Sequence, residues 1–349
     1  MPSMADRKYR GRRPLYDSVL LSVTERCHVG CAHCGFIGTR REREATLDEL
    51  ADWTDQVCRY GDIRRLIMTG GEPFERLDAM QLIVRTASGR VPIISAFTSS
   101  FWADSADAAK AVLSSLKGLN QLYLSSDSYH QKRVPYEHVH NAIQAALELG
   151  LQYITICITY ANDAELHEVK RNYERWGERI AFHEDRVIPT PYLPKRVLQK
   201  QTPLEPHRSV IYGTTCYLQT PLINPDGDLY ACHSGKAGAH RDIRSTPYFL
   251  GSLREEKFID IAERVSRRWD YQFMRTLGPR GVAELAEDNP RIFDELGRAT
   301  FSSPCDMCFS ILKTDCGRET LLKKSSMPAV RDIINIRLAM GLGEDPIES

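Results

Sequence analysis

A chain of 349 residues can hold a barrel-sized domain and a smaller one, and 42% hydrophobic with 26% charged residues is the balance of an ordinary globular protein. Lys+Arg and Asp+Glu both total 46, so no overall field favours nucleic acid or a membrane surface. There is no signal-like or membrane-spanning apolar run, and ten cysteines at metal-like spacings argue against a disulfide framework. The expectation is a cytoplasmic, reduced, metal-binding protein.

Residues 1–16 read as a tail whose Arg7, Lys8, Arg10, Arg12 and Arg13 are more simply solvated than bound to a phosphate group. Val19 to Thr24 reads as the first strand, and Cys27, Cys31 and Cys34 follow at once. Three thiolates can hold three irons of a 4Fe-4S cluster and leave the fourth open for chemistry. The competing reading is structural zinc, which needs His28 or His33 as a fourth ligand.

Thr46 and Glu49 form a capping-box pattern ahead of Leu47, Leu50, Trp53 and Val57 at helical spacing. A strand Arg65 to Thr69 runs into Gly70-Gly71-Glu72-Pro73. The alternation goes on with a helix Leu77 to Thr86, a strand Val91 to Phe97, a helix Ser105 to Leu116 and a strand Gln121 to Ser126. A helix Tyr136 to Leu149, a strand Gln152 to Thr159, a helix Ala164 to Trp176 and a strand Ile180 to Val187 complete it. Six strands alternating with helices predict a parallel α/β domain over 17–190, either a partial barrel or an open doubly wound sheet. In the fifth strand Ile154, Ile156 and Ile158 alternate with Tyr153, Thr155, Cys157 and Thr159, and the fourth strand repeats the pattern. An aliphatic face on the helices leaves a small, polar face lining the interior.

Prolines break the periodicity, and the domain connection is placed over 191–215. Beyond it, Pro225-Asp226-Gly227 predicts a hairpin turn that draws Cys216 towards Cys232. Ile259 to Trp269 reads as a helix, the signal around Gly278 to Ala299 is weak, and Cys305, Cys308 and Cys316 follow. Val330 to Met340 closes the chain as a helix within 326–349. Four thiols in two pairs suit zinc as well as iron.

The cysteine spacing with His33 before the third Cys, together with Gly70 to Pro73 at the end of the second strand, resembles the radical SAM superfamily. Cys216, Gly227, Cys232, Cys305 and Cys308 over 216–325 resemble the twitch or SPASM type of cysteine-rich α+β extension. The resemblance implies a partial (β/α)6 TIM-like barrel with such a domain after it. It also implies two 4Fe-4S clusters, one at Cys27, Cys31 and Cys34 binding S-adenosylmethionine (SAM), and an auxiliary one at Cys216, Cys232, Cys305 and Cys308. Cys316 is either a spare thiol or a substitute ligand. By the same resemblance Gly70, Gly71, Glu72 and Pro73 meet the methionine amine, Phe36 lies near adenine, His33 counts among the cofactor-binding residues, and Ser126 and Asp127 reach the ribose or methionyl carboxylate.

Asp127 and His130 follow the fourth strand at the active rim and are acid-base candidates. Cys157 is a candidate hydrogen-atom donor, with a core filler as the plainer reading, and His183 and Asp185 share an inward face if the sixth strand keeps register. The expected reaction is reductive cleavage of SAM and hydrogen abstraction from a small natural-product metabolite for net oxidation. Maturation of a short precursor peptide is the alternative, and a non-catalytic iron-sulfur or zinc scaffold the third. The brief stretch before the first strand, with no room for a fused leader-binding domain, tilts the expectation towards the small molecule. A flavodoxin or ferredoxin is the expected electron donor, with no nucleic acid or membrane partner.

Overall fold

The computed structural model describes residues 15–34, 44–187, 197, 199, 218, 220–232, 243–301 and 303–339. Phe36, Cys216 and the basic cluster of the N-terminal segment lie outside the described residues, as does most of 191–215.

Six parallel strands form the core: β1 (Ser18–Thr24), β2 (Arg65–Gly70), β3 (Ile93–Thr98), β4 (Gln121–Ser125), β5 (Tyr153–Tyr160) and β6 (Ala181–Arg186). Between them run α1 (Leu47–Arg59), α2 (Leu77–Ala87), α3 (Ala106–Ser114), α4 (Tyr136–Glu148) and α5 (Asp163–Arg171). Each expected element of this domain is present, with ends moved by a few residues. The last of these helices stops earlier than its periodicity implies, and a 3-10 turn containing Gly177, at φ 52°, covers Glu174–Arg179 instead.

Each strand pairs with its neighbour in chain order, so every helical crossover lands beside the strand it left. Leu122, Leu124, Ile154, Ile156 and Ile158 are buried with the helices in the main core, while Tyr123, Ser125, Thr155 and Cys157 are only half-buried on the opposite face. Alternation in sequence has become a two-faced sheet, as period 2 requires. Leu20, Ile67 and Leu222 close part of that inner face together with Phe97 and Tyr123, whose rings stack at 4.4 Å.

β1 also pairs on its other side with β7 (Leu222–Ile223), in parallel, and β8 (Asp228–Tyr230) and β9 (Phe249–Ser252) continue antiparallel. The expected hairpin at 225–227 is therefore real, and it extends the core sheet to nine strands with β6 and β9 at its ends. Among the described residues the sheet is thus an open, partial barrel.

Six helices follow: α6 (Phe258–Ser266), α7 (Trp269–Asp288), α8 (Arg291–Leu296), α9 (Pro304–Lys313), α10 (Asp315–Ser326) and α11 (Pro328–Arg337). The weak signal after Gly278 has a structural reason: α7 is broken at Gly278-Pro279 and buried around most of its girth, so no apolar stripe repeats. No helix among the described residues is long and apolar enough to cross a membrane.

Candidate active site

The site is built where β1 and β2 end. The Gly71 N–H donates to the Thr24 carbonyl and the Glu72 N–H to the Arg26 carbonyl, both at 2.7 Å. A Cβ on Gly70, at φ 132°, would stand 2.1 Å from the Thr24 oxygen, and one on Gly71 would stand 2.0 Å from the Arg26 oxygen. Only glycine permits this approach, so the two glycines clamp the start of the cysteine loop to the second strand.

Glu72 is 1% exposed. Its carboxylate accepts from Phe74 N–H and Thr98 Oγ1 on one oxygen and from Ser99 N–H and Ser99 Oγ on the other, at 2.6–3.2 Å. Burial lifts its pKa, and these donors offset only part of the rise. The geometry spends the carboxylate on tying the ends of β2 and β3 together. Pro73, buried, opens the 3-10 turn that follows.

Cys31 is buried, Cys27 and Cys34 are half-buried, and all three share one small cluster with Val29, Tyr129, Val134 and Val187. The Cys34 N–H donates to the Cys31 carbonyl at 3.0 Å. Burial raises the Cys27 thiol, while the Gly30 and Val29 amides donate to its sulfur and lower it in part. Apolar walls with amides aimed at sulfur are the surroundings of an iron-sulfur cluster rather than of a reactive free thiol. Glu75 fixes the loop from outside, accepting from the His28 N–H at 2.8 Å and bonding its ring Nδ1 at 2.6 Å.

Across from the cysteines, Asp127 follows β4. Its Oδ1 accepts from the Tyr129 and His130 N–H groups at 2.9 and 3.0 Å, and its Oδ2 bonds His130 Nδ1 at 2.9 Å and accepts from Thr159 N–H at 3.3 Å. Burial alone would raise its pKa, but the facing imidazoles and these donors drive it well below the usual carboxylate range. In His130 burial is likewise outweighed, by Asp127 and by a hydrogen bond to Cys31, and the imidazolium is favoured. His33 lies between the two halves of the site, 4.7 Å from the Tyr129 ring and 5.2 Å from that of His130. Burial pushes its pKa down to about 4, and its buried Nδ1 has no partner among the described residues.

Ser126 is buried and its hydroxyl bonds Tyr173. Cys157 stands in register with Ser125 and with His183, its thiol pushed well up by burial. His183 Nε2 lies 2.9 Å from Asp185 Oδ2, so the two share one face of β6, with Asp185 at its exposed end. Among the described residues, Ser100 is the one non-glycine residue with positive φ, at 70°, and its buried hydroxyl, next to Ser99, has no partner there. Sequence reasoning missed Thr98, Ser99, Ser100 and Glu75. The polar run after the third strand, at the rim where such folds keep their chemistry, was the signal for the first three.

The orphaned His33 Nδ1 and Ser100 Oγ and the amide-bonded Cys27 sulfur fit a cluster with a polar ligand on it. In the C-terminal part, Cys308 Sγ is 3.1 Å from Tyr248 Oη, Cys305 shares its helix, Cys232 lies just past β8, and the Cys316 N–H donates to Glu295 at 3.0 Å. Among the described residues, Cys31, His33 and His130 are the one group that brings three ligand atoms within 4.8 Å of one another.

Residues 21–172 match the Radical SAM superfamily model, a span that takes in the three cysteines, Gly70 to Pro73 and Asp127 to His130. Curated relatives include the GTP 3',8-cyclase of Listeria monocytogenes serovar 1/2a, 27% identical over 188 residues, 49% of this chain and 54% of that one. The probable GTP 3',8-cyclase of Methanothermobacter thermautotrophicus is 27% identical over 185 residues, 49% and 57% of the two chains. The chain thus spans about half the length of the curated relatives it matches. Among solved structures, BtrN in complex with AdoMet and 2-DOIA overlaps at TM-score 0.47 and 11% identity, covering 78% of this chain and 89% of that one. Coproporphyrinogen III oxidase from Escherichia coli overlaps at 0.40 and 12%, covering 88% and 92%. With the family match lying on the very residues that build the site, this chain carries a radical SAM superfamily domain.

Proposed function

We propose that the protein is a radical SAM enzyme that abstracts a hydrogen atom from a small-molecule substrate held against the inner face of the sheet, for net oxidation. When bound, the cluster and SAM supply the reductive cleavage that yields methionine and a 5'-deoxyadenosyl radical. The chain's own part is positional. Cys27, Cys31 and Cys34 hold the cluster, the glycine clamp at Gly70 and Gly71 fixes their loop, and His33 offers an unpaired ring nitrogen to a ligand. The half-buried Tyr123, Thr155 and Cys157 wall the substrate side. The observation that carries this reading is the gathering of three loop thiols beside a glycine-locked β2 end at the mouth of a parallel sheet.

A second reading, cyclisation of GTP, draws on the names of the curated relatives. Their similarity spans about half of either chain, so the name alone does not carry the substrate across. In the first reading the C-terminal cysteines hold an auxiliary cluster and a flavodoxin or ferredoxin supplies the electron; a short precursor peptide is the alternative substrate. Anaerobic reconstitution with iron and sulfide, then dithionite and SAM, is expected to release 5'-deoxyadenosine and methionine, and Cys27→Ala is expected to abolish both. A reconstituted protein that never cleaves SAM would sink the assignment. Deuterium appearing in 5'-deoxyadenosine from labelled GTP, and not from other candidates, would favour the second reading.

A further inference from the structure

One side chain of the site belongs to neither the cysteine loop nor the glycine clamp, yet touches the loop. His130 opens a 3-10 turn after β4, and Asp127 grips it twice, through its N–H at 3.0 Å and its ring Nδ1 at 2.9 Å. Asp127 itself is held by the Tyr129 and Thr159 N–H groups and is 1% exposed, so it has little room to swing. The His130 ring is thereby fixed beside the cysteine loop, with a ring nitrogen within 4.8 Å of the Cys31 sulfur. The ligand atoms of Cys31, His33 and His130 lie within 4.8 Å of one another, and the His130 side chain is only 15% exposed.

We propose that His130 is a positioning residue for the cluster, donating from the ring nitrogen left free by Asp127 to the Cys31 sulfur and so setting the cluster's reduction potential. This rests on the radical SAM reading of the cysteine loop. Both neighbours of the ring are acceptors once Cys31 is an iron-bound thiolate, so a bond on each side requires a proton on each nitrogen. Hydrogen bonds to cluster sulfurs favour the electron-richer form, because they stabilise charge that reduction adds. The pair of Asp127 and His130 therefore offers the sulfur a fixed donor at no cost in net charge. His33, with its own unpartnered nitrogen, is left for a different contact.

The test uses the full chain reconstituted anaerobically, with the midpoint potential of the reduced cluster followed by electron paramagnetic resonance. Iron and sulfide content of each sample is measured in parallel. His130→Ala is expected to assemble the cluster and to make its one-electron reduction harder by about tenfold in equilibrium constant, about 59 mV. His130→Gln, whose amide can still donate to sulfur, is expected to fall between the two. An unchanged potential in His130→Ala with full iron content would overturn the proposal. So would loss of the cluster in both variants, which would make His130 a support of the loop and nothing more. A wild-type chain that binds no cluster would fail differently, removing the radical SAM reading itself.

Discussion

Gly71 shows how much of the site depends on a missing side chain. Its amide holds the Thr24 carbonyl at 2.7 Å, and the space a methyl group would need is filled by the Arg26 carbonyl at 2.0 Å. Backbone cannot rotate away as a flexible side chain can, so Gly71→Ala must push the two strand ends apart. Overpacking of this kind costs about 1–3 kcal/mol, and here the displaced segment begins the cysteine loop. Gly71→Ala is therefore expected to lower the urea midpoint and to cut the iron retained after reconstitution well below wild type. Full iron retention at unchanged stability would show that the clamp is dispensable. The glycines themselves were legible as a motif, but their contact was not. A close approach to a ligand amine and a close approach to Thr24 and Arg26 demand the same residue type. Glu72 is similar: a buried glutamate after two glycines reads as an amine partner, and only the positions of Thr98 and Ser99 reveal four donors already on it.

Elements written in local chemistry were the readable ones. Thr46 and Glu49 form the full capping box at the start of α1, and the helix begins at Leu47 as that pattern requires. The helices bearing the late cysteines were not readable. α9 starts at a Ser303 cap with Pro304 in its first turn, but a broken helix precedes it and no apolar repeat announces it. The same capping box gives a pH prediction. Burial raises the proton affinity of Glu49, but the Thr46 amide and the Arg254 guanidinium at 2.9 Å outweigh it and hold the group below the ordinary 4.5. A depressed folded pKa means stability that is complete above 4.5 and lost as pH falls through the folded value. The gap in urea midpoint between wild type and Glu49→Gln should accordingly be widest near neutrality and close in acid. Thr46→Ala, which removes the reciprocal half of the box, should cost about 1 kcal/mol at neutral pH. A gap that stays constant from neutral to acid pH would mean that the Glu49 charge contributes nothing.

At the scale of the whole molecule the notable fact is that the hairpin at 222–230 is a strand neighbour of the core, with Leu222 and Ile223 in register with Leu20 and Leu21. Cys232 thus lies two residues beyond a strand of the same sheet that ends in the cysteine loop. Sequence patterns predicted the hairpin from Pro225 to Gly227, but pairing partners far apart in the chain leave no local mark, so its attachment to β1 was invisible. The attachment makes independent loading of the two cysteine groups a direct question. If the C-terminal thiols hold an auxiliary cluster, the wild-type chain should bind about eight irons, four per cubane. A variant with Cys27, Cys31 and Cys34 all changed to Ala should then keep about four and retain a cluster absorbance, because the sheet that presents Cys232 does not depend on those thiols. Changing Cys305 and Cys308 together should remove the complementary half and leave the site beside His33 and His130 loaded. A triple variant devoid of iron, beside a wild type with about four, would confine the protein to a single cluster and remove the electron acceptor that the net-oxidation reading needs.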